Sequence, residues 1–236
     1  MDLRYRPAFS LFTWISNPTQ NNAIMALISF FSAAVILFMV FPIRECARGF
    51  VAKYLGDDTA ERQGKLTLNP MVHLDPMGAL MLLFLPMGWP RPTPINIGRC
   101  NRVKAKTAVV LTSAAGPAAL IILAYFFMLI FKIVLKIGVL EGSTLMYMSL
   151  AVSIIIQINL FLAVLNLLPV PPFDGSKVLF AFLRPDTVFK IMRYQQMIYL
   201  AFILLLFMPG SPLVFLISLI SNGIFNVLDF LSGFIR

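Results

Sequence analysis

Residues 23–55 read AIMALISFFSAAVILFMVFPIRECARGFVAKYL, an uncharged apolar run that continues directly into a charged patch. The run over residues 23–41 approaches the roughly 20 residues that a helix needs to cross a bilayer. We predict one helix that continues to about Leu55, kinks at Pro42 and is ended by Gly56. Ionisable side chains are costly in a membrane helix, so the charged patch is where function should be sought.

The rest of the chain has the composition of a membrane protein. Of its 236 residues, 59% are hydrophobic and 12% are charged, and further apolar runs occupy residues 107–137, 146–168 and 197–236. Prolines and a glycine at residues 209–212 divide the last run into two predicted spans. We therefore predict an all-α polytopic membrane protein with five or six transmembrane helices. The number depends on whether residues 77–87 cross the membrane or re-enter it.

The chain divides into three predicted parts. These are an interfacial N-terminal segment at residues 1–22, a membrane core at residues 23–194 and a C-terminal transmembrane hairpin at residues 195–236. Within the core, residues 57–76 are polar and predict a loop with a small β element, because Leu66, Thr67 and Leu68 alternate as in a strand.

The formal net charge of +9 does not indicate a nucleic-acid partner, because the basic residues form no patch interleaved with aromatic side chains. They lie in short loops between apolar runs, as the cytoplasmic loops of membrane proteins do. The partner that this pattern indicates is the lipid bilayer. We predict two cytoplasmic loops, one with Arg91, Arg99, Arg102, Lys104 and Lys106 and the other with Lys177, Arg184, Lys190 and Arg193.

The charged patch places Arg44, Glu45 and Arg48 at positions i, i+1 and i+4 of the predicted helix. Arg44 and Arg48 then share a face, and Glu45 lies within one turn of Arg48. Each such residue costs about 2.5–3.5 kcal/mol at mid-bilayer, which makes it a functional-site candidate with a charged partner. The alternative is that the apolar helix stops near Pro42 and that these side chains face headgroups and water.

A second candidate segment, residues 166–175, reads NLLPVPPFDG at the end of an apolar run. Its three prolines exclude a regular helix. Unwound backbone beside a membrane helix is tolerated where it is packed in protein or lines a wet cavity, and Asp174 would bring a carboxylate there. The alternative is that Asp174 caps the next helix, residues 176–183, by accepting its free amide protons.

Together the two segments resemble the site-2 protease family of membrane-embedded zinc metalloproteases, in its small branch without a PDZ domain. That family carries HExxH on a membrane helix and a third zinc ligand in NxxPxPxxDG, which residues 166–175 keep. Similar pieces lie between them in the family's order: LGDDTA at 55–60, GKLTLNP at 64–70, HLDPMG at 73–78, residues 88–94 and AGP at 115–117. The resemblance covers about residues 25–185.

The resemblance implies a zinc enzyme of a prokaryotic plasma membrane that cleaves membrane-spanning segments of other proteins within the bilayer. It gives Glu45 the family position of the general base and Asp174 that of the third zinc ligand. The same resemblance assigns substrate binding or a structural role to Asn166, Pro169, Pro171 and Gly175.

One departure affects the expected chemistry. Where the family has HExxH, residues 44–48 read RECAR. The two histidines of HExxH present nitrogen lone pairs to zinc while the glutamate activates a water, but a guanidinium stays protonated and offers no lone pair. We therefore expect that zinc is not bound. Arg44 and Arg48 supply the same charge as a zinc ion, so we expect them to form salt bridges with Asp174 and Glu45.

Three functions remain open. The preferred one is a catalytically inactive member of the site-2 protease fold that binds membrane segments, by strand addition along residues 66–68 unless that loop is a simple connection. The second is an active zinc endopeptidase with non-standard ligands, for which His73, Cys46 and Asp174 are the candidates. The third is a transporter or channel that uses the buried charges, and the absence of internal repeats disfavours it.

Overall fold

The structure is a computed structural model and describes residues 20–84, 88–208 and 210–235. Within these residues the regular structure is helical, so the predicted all-α class is confirmed. The α-helices are α1 (Gln20–Val35), α2 (Phe41–Tyr54), α3 (Thr59–Arg62), α4 (Pro70–His73), α5 (Pro76–Phe84), α6 (Ala105–Ile137), α7 (Gly142–Leu167), α8 (Asp174–Phe182), α9 (Pro185–Arg193), α10 (Gln195–Phe207) and α11 (Pro212–Leu231). Of the predicted N-terminal segment, residues 1–19 lie outside the described part.

Helices that are long and apolar enough to cross a membrane make the chain polytopic. There are 4 of them among the described residues, at Ala23–Tyr54, Ala105–Ile137, Gly142–Leu167 and Pro212–Leu231. Helices α9 and α10 make a fifth if they are counted as one span bent by 62°. The predicted break in the last run is present, because α10 ends at Phe207 and α11 begins at Pro212, while residue 209 lies outside the described part. Of the two predicted spans, α11 is long enough by itself, and α10 is long enough only together with α9.

The apolar segment predicted to cross or re-enter at residues 77–87 provides no sixth span among the described residues. Its helix α5 has 9 residues. At 1.5 Å per residue α5 extends about 13 Å, which is less than half of the roughly 30 Å hydrocarbon core. Residues 85–87, the end of this segment, lie outside the described residues.

The first span contains a π-helical turn at Ile36–Val40. There the N–H of Phe41 donates to the carbonyl of Ile36, five residues back instead of four. Pro42 explains the turn, because proline has no N–H and its ring clashes with the carbonyl four residues earlier. The kink predicted at Pro42 therefore takes the form of a π turn. The span ends at Tyr54, as expected from Gly56, whose φ is +111°.

The β element predicted at Leu66, Thr67 and Leu68 is wrong, because these residues are irregular and no strand occurs in the part of the chain that the structure describes. The Thr67 carbonyl, which in a strand would pair with a neighbouring strand, is bound by side chains instead. Cys46 Sγ donates to the Thr67 carbonyl at 2.8 Å, and His73 Nε2 lies 2.8 Å from the same oxygen. Local side-chain hydrogen bonds of this kind compete with strand pairing, so the segment is a connection.

Helices α6 and α7 pack along each other at the centre of the bundle. Helix α6 also contacts α2 and α8, while α7 also contacts α1 and α11. The main buried cluster includes Val40, Leu120, Ile158, Leu162 and Ile217. Because α6 contacts both α2 and α8, it holds the charged patch of α2 close to the start of α8.

An ion pair that was not predicted from the sequence joins two spans. Lys132 Nζ on α6 lies 2.7 Å from Asp229 Oδ1 on α11, and both side chains are partly exposed. Lys132 Nζ also donates to the Asp229 carbonyl at 3.3 Å. Each is a charge inside an apolar run, which is the signal that could have identified the pair.

Replacing Lys132 with Met should lower the stability of the fold by about 1 kcal/mol, the size of polar contacts between membrane helices. The measurement is the midpoint of thermal unfolding in detergent. Lys104→Met, which removes an exposed charge at the start of α6, is the matched control and should leave the midpoint unchanged. Equal effects of the two substitutions would contradict a specific contact between α6 and α11.

Candidate functional site

Helices α2 and α8 bring the charged residues predicted from the sequence together. Arg44, Glu45 and Arg48 lie on α2 with exposed fractions of 7%, 0% and 6%, and Asp174 is the buried first residue of α8. Helix α7 ends at Leu167, because the prolines that follow it cannot continue a helix. The α2 side chains are therefore buried in protein, and the alternative that they face headgroups and water is wrong.

The expected salt bridges are present. Arg44 Nη1 lies 2.6 Å from Glu45 Oε1, and Arg44 Nη2 lies 3.0 Å from Asp174 Oδ2. Arg48 Nη1 lies 3.4 Å from Glu45 Oε2, and Arg48 Nη2 lies 3.2 Å from Asp174 Oδ1. Each arginine thus contacts both carboxylates, so the network joins α2 to α8.

Asp174 binds cations rather than capping a helix. Helix α8 is preceded by Phe173, whose side chain makes no capping hydrogen bond, and the Asp174 oxygens face Arg44, Arg48 and Lys177. Burial raises the pKa of Asp174, but the Arg48, Arg44 and Lys177 cations outweigh it and leave this pKa below its ordinary value. The carboxyl group is therefore held in its charged form.

The other residues of the 166–175 segment take different places. Asn166 Oδ1 accepts a hydrogen bond from Arg44 Nη2 at 2.8 Å, so Asn166 is part of the network. Pro169 is exposed and Pro171 is buried, and neither lines the cavity beside the network. Gly175 is buried, and a Cβ there would overlap the backbone carbonyl groups of Leu167 and Leu168. Gly175 thus permits the close turn from α7 into α8.

Two further residues of the network were not predicted as site residues. Lys177 Nζ lies 2.7 Å from Asp174 Oδ1, and its spacing of three residues on one helix is the signal that could have identified it. The Thr93 N–H donates to Glu45 Oε2 at 2.7 Å, and the Thr93 hydroxyl donates to the Glu45 carbonyl at 3.2 Å. Thr93 lies 48 residues from Glu45, and no local pattern indicates this contact.

Gly116 on α6 provides the space that the two arginines occupy. A Cβ at this position would lie 3.1 Å from Arg48 Cδ and 3.4 Å from Arg44 Nε. The Nε atoms of both arginines are buried and have no hydrogen-bond partner. The guanidinium groups therefore depend on their terminal nitrogens, which make all the contacts described above.

A cavity of about 540 Å³ opens beside the network. Its polar side carries Arg44, Glu45, Arg48 and Asp174, and its apolar side includes residues of α2, α6, α7 and α10. With Lys177, which also lines it, the formal charge of these five side chains is three cations against two anions, or +1. The cavity is thus mainly apolar, and its one charged side carries a small net positive charge.

The residues present do not fit a zinc ion. Of the expected zinc-ligand positions, only that of Asp174 holds a side chain able to bind zinc. Both oxygens of Asp174 are already in contact with cationic side chains. His73 and Cys46 do meet, but at the Thr67 carbonyl instead of at Asp174. Among the described residues, no group of three or more His, Cys, Asp or Glu side chains is arranged to hold a metal.

Comparison with known proteins gives a family and several relatives. Residues 37–209 match the family described as Peptidase family M50. The chain is 37% identical over 177 residues to the Putative zinc metalloprotease YwhC of Bacillus subtilis, which covers 74% of this chain and 80% of that protein. It is 29% identical over 178 residues to the Putative zinc metalloprotease Rip2 of Mycolicibacterium smegmatis, covering 71% of this chain and 63% of the relative.

A third relative is archaeal. The Putative zinc metalloprotease MJ0611 of Methanocaldococcus jannaschii is 46% identical over 68 residues, which are 28% of this chain and 30% of that protein. No solved structure matches the chain. The family match spans the helices that carry Arg44, Glu45, Arg48 and Asp174. This chain is thus a polytopic membrane protein that belongs to peptidase family M50, the site-2 protease family.

Proposed function

We propose that this chain is a catalytically inactive member of family M50 that binds membrane-spanning segments of other proteins. One observation carries the proposal: the guanidinium groups of Arg44 and Arg48 occupy the place between Glu45 and Asp174. The resemblance to HExxH puts two zinc-binding histidines at these positions in the family. In this chain two permanent cations fill them instead.

The chemistry of arginine opposes a metal at this place. A guanidinium remains protonated in proteins and has no lone pair to offer. Catalytic zinc sites use three protein ligands and keep one position for water, whereas the network offers Asp174 alone at an expected ligand position. A zinc ion would also meet repulsion from Arg44, Arg48 and Lys177, so no catalytic step through zinc is available here.

Glu45 has a structural role in this proposal. Its carboxylate accepts hydrogen bonds from the Thr93 N–H and from both arginines. These three donors take up the carboxylate oxygens through which Glu45 would otherwise contact a water or a metal. Glu45 is then the counterion that offsets Arg44 and Arg48, instead of the general base that the resemblance implies.

The cavity supports a retained binding function. Its volume of about 540 Å³ and its largely apolar lining suit side chains of a membrane-spanning segment. Asn166, Gln195 and Gln196 also line it and are able to bind unpaired backbone groups of such a segment. We assign the protein to a prokaryotic plasma membrane, in keeping with its bacterial and archaeal relatives.

Elemental analysis of the purified protein tests this function. The chain as it stands should contain far less than one zinc per molecule, and Arg44→His with Arg48→His should raise the content to about one. Arg44→Gln with Arg48→Gln is the matched control, because it removes the same charges without supplying ligands. Cleavage of a membrane-spanning substrate is then expected only with the histidine variant.

Two results would overturn the proposal. Stoichiometric zinc in the unaltered chain would show that ligands other than histidine hold the metal. Zinc-dependent cleavage by the unaltered chain would show directly that it is an active endopeptidase. Failure of the histidine variant to take up zinc, with its fold intact by circular dichroism, would show that the scaffold lacks a metal site.

A further inference from the structure

Helix α9 has two opposed faces. At 100° per residue, Val188, Phe189, Ile191 and Met192 fall within one half of the helix. Lys190 lies on the opposite side, and Arg193 lies at the boundary, next to Phe189. No residue of α9 is buried, and Phe189 and Met192 have exposed fractions of 74% and 53%. Val188 and Ile191 are partly buried, so the uncovered part of the apolar face, within the described part of the protein, is Phe189 and Met192.

The position of α9 follows from its angle to α10. The two helices bend by 62° at Tyr194, and α10 is apolar and uncharged. Membrane helices tilt on average by about 20° from the bilayer normal. With this tilt for α10, α9 lies at about 40–80° from the normal, and its exposed charges favour the part of this range that is nearly parallel to the surface. Tyr194, an exposed aromatic side chain at the corner, suits the headgroup region.

The segment at residues 184–193 carries a net positive charge on exposed side chains. Arg184, Lys190 and Arg193 oppose Asp186, which gives a formal charge of +2, and all four side chains are exposed. None of the three basic residues makes an ion pair within the described residues. Lys106 lies next to this segment, with Nζ 6.0 Å from the centre of the Phe182 ring.

We propose that α9 is an interfacial helix that binds anionic phospholipid headgroups. Phe189 and Met192 enter the boundary between headgroups and acyl chains, while Lys190 and Arg193 contact lipid phosphates. An amphipathic helix with a basic polar face binds anionic membranes by burying its apolar side chains and by attracting the lipid charges. A protein partner at this face would have to supply acidic groups in place of the lipid phosphates. This site lies outside the charged network and does not depend on its chemistry.

The proposed contact also bears on the cavity. Helix α10 begins directly after α9, and Gln195, Gln196 and Tyr199 of α10 line the cavity. A headgroup contact that holds α9 at the surface therefore sets the position of one cavity wall. We expect the lipid composition of the bilayer to affect binding in the cavity through this helix.

Spin labels test the placement of α9. A nitroxide at Phe189→Cys should be accessible to oxygen, and one at Thr187→Cys on the polar side should be accessible to a water-soluble nickel reagent, in nanodiscs of phosphatidylglycerol. The unaltered chain is the blank, because Cys46 and Cys100 are buried. Access of nickel to both labels would overturn the proposal. Protection of the label at position 189 from both reagents would also overturn it, since a protein would then cover the face.

Lipid retention tests the charge. The protein is taken from an equimolar mixture of phosphatidylglycerol and phosphatidylcholine, and tightly bound lipid is counted by native mass spectrometry. Lys190→Gln with Arg193→Gln should lower retention of phosphatidylglycerol about tenfold, because each basic residue near an anionic surface strengthens binding severalfold. Lys53→Gln with Arg62→Gln removes the same charge elsewhere and should leave retention unchanged. Equal retention by the α9 variant and the unaltered chain would overturn the proposal.

Discussion

Replacing Asp174 with Ala is expected to lower the stability of the folded chain by about 3–5 kcal/mol, the usual cost of removing one partner from a buried ion pair. Arg44 and Arg48 are buried and each contacts Asp174, at 3.0 Å and 3.2 Å. Without Asp174, Glu45 alone would offset two buried guanidinium groups. The measurement is the midpoint of thermal unfolding in detergent, read by circular dichroism.

Two further substitutions make the Asp174 result specific. Asp186→Ala removes an exposed carboxylate in the first turn of α9 and should change the midpoint little. Asp174→Asn keeps the shape of the side chain without its charge and should still destabilise the protein, by less than Ala does. An unchanged midpoint for Asp174→Ala would refute the view that the network holds α2 and α8 together.

Replacing Gly175 with Ala should cost about 3 kcal/mol, the upper part of the range for an overpacked core. The added Cβ would overlap the carbonyl groups of Leu167 and Leu168, which are backbone and cannot rotate away. The turn from α7 into α8 would have to move, and Asp174 would move with it. Thermal unfolding in detergent is again the measurement.

The control for Gly175 is a helical glycine with open space around it. Gly223 lies within α11, and a Cβ there would meet no atom within 4 Å. Gly223→Ala should therefore be neutral or slightly stabilising, since alanine is the better helix former. If both substitutions cost the same, the tight turn at Gly175 is not the reason for its effect.

The main features of the site could be predicted because they rest on local pattern and on charge. An apolar run that leads into Arg44, Glu45 and Arg48 indicates ionisable groups inside a membrane protein, and such groups need partners. The segment at residues 166–175, which contains Asp174, is the candidate partner that the resemblance supplies. Because two arginines face two carboxylates, electrostatics alone predicts the salt bridges.

Contacts between distant parts of the chain could not be predicted in this way. Thr93 reaches Glu45 across 48 residues, and Gly116 makes room for side chains of another helix. Both residues lie in segments that take part in the family resemblance, but no local pattern in a sequence shows which distant side chain a backbone N–H or a glycine will contact. The strand predicted at Thr67 failed for a related reason, since side chains from α2 and α4 bind its carbonyl.

The π turn at Ile36–Val40 has a consequence for how this site tolerates insertions and deletions. A bond that spans five residues instead of four accommodates one extra residue in the span. Deleting one residue from this turn should therefore leave the residues after it in their present orientation, whereas deleting one from a regular part of the span would rotate everything after it by about 100°. Arg44, Glu45 and Arg48 would then point away from Asp174 without any change in their own sequence. The π turn is thus the place in this span where the loss of one residue is tolerated, and it lies directly before the charged patch.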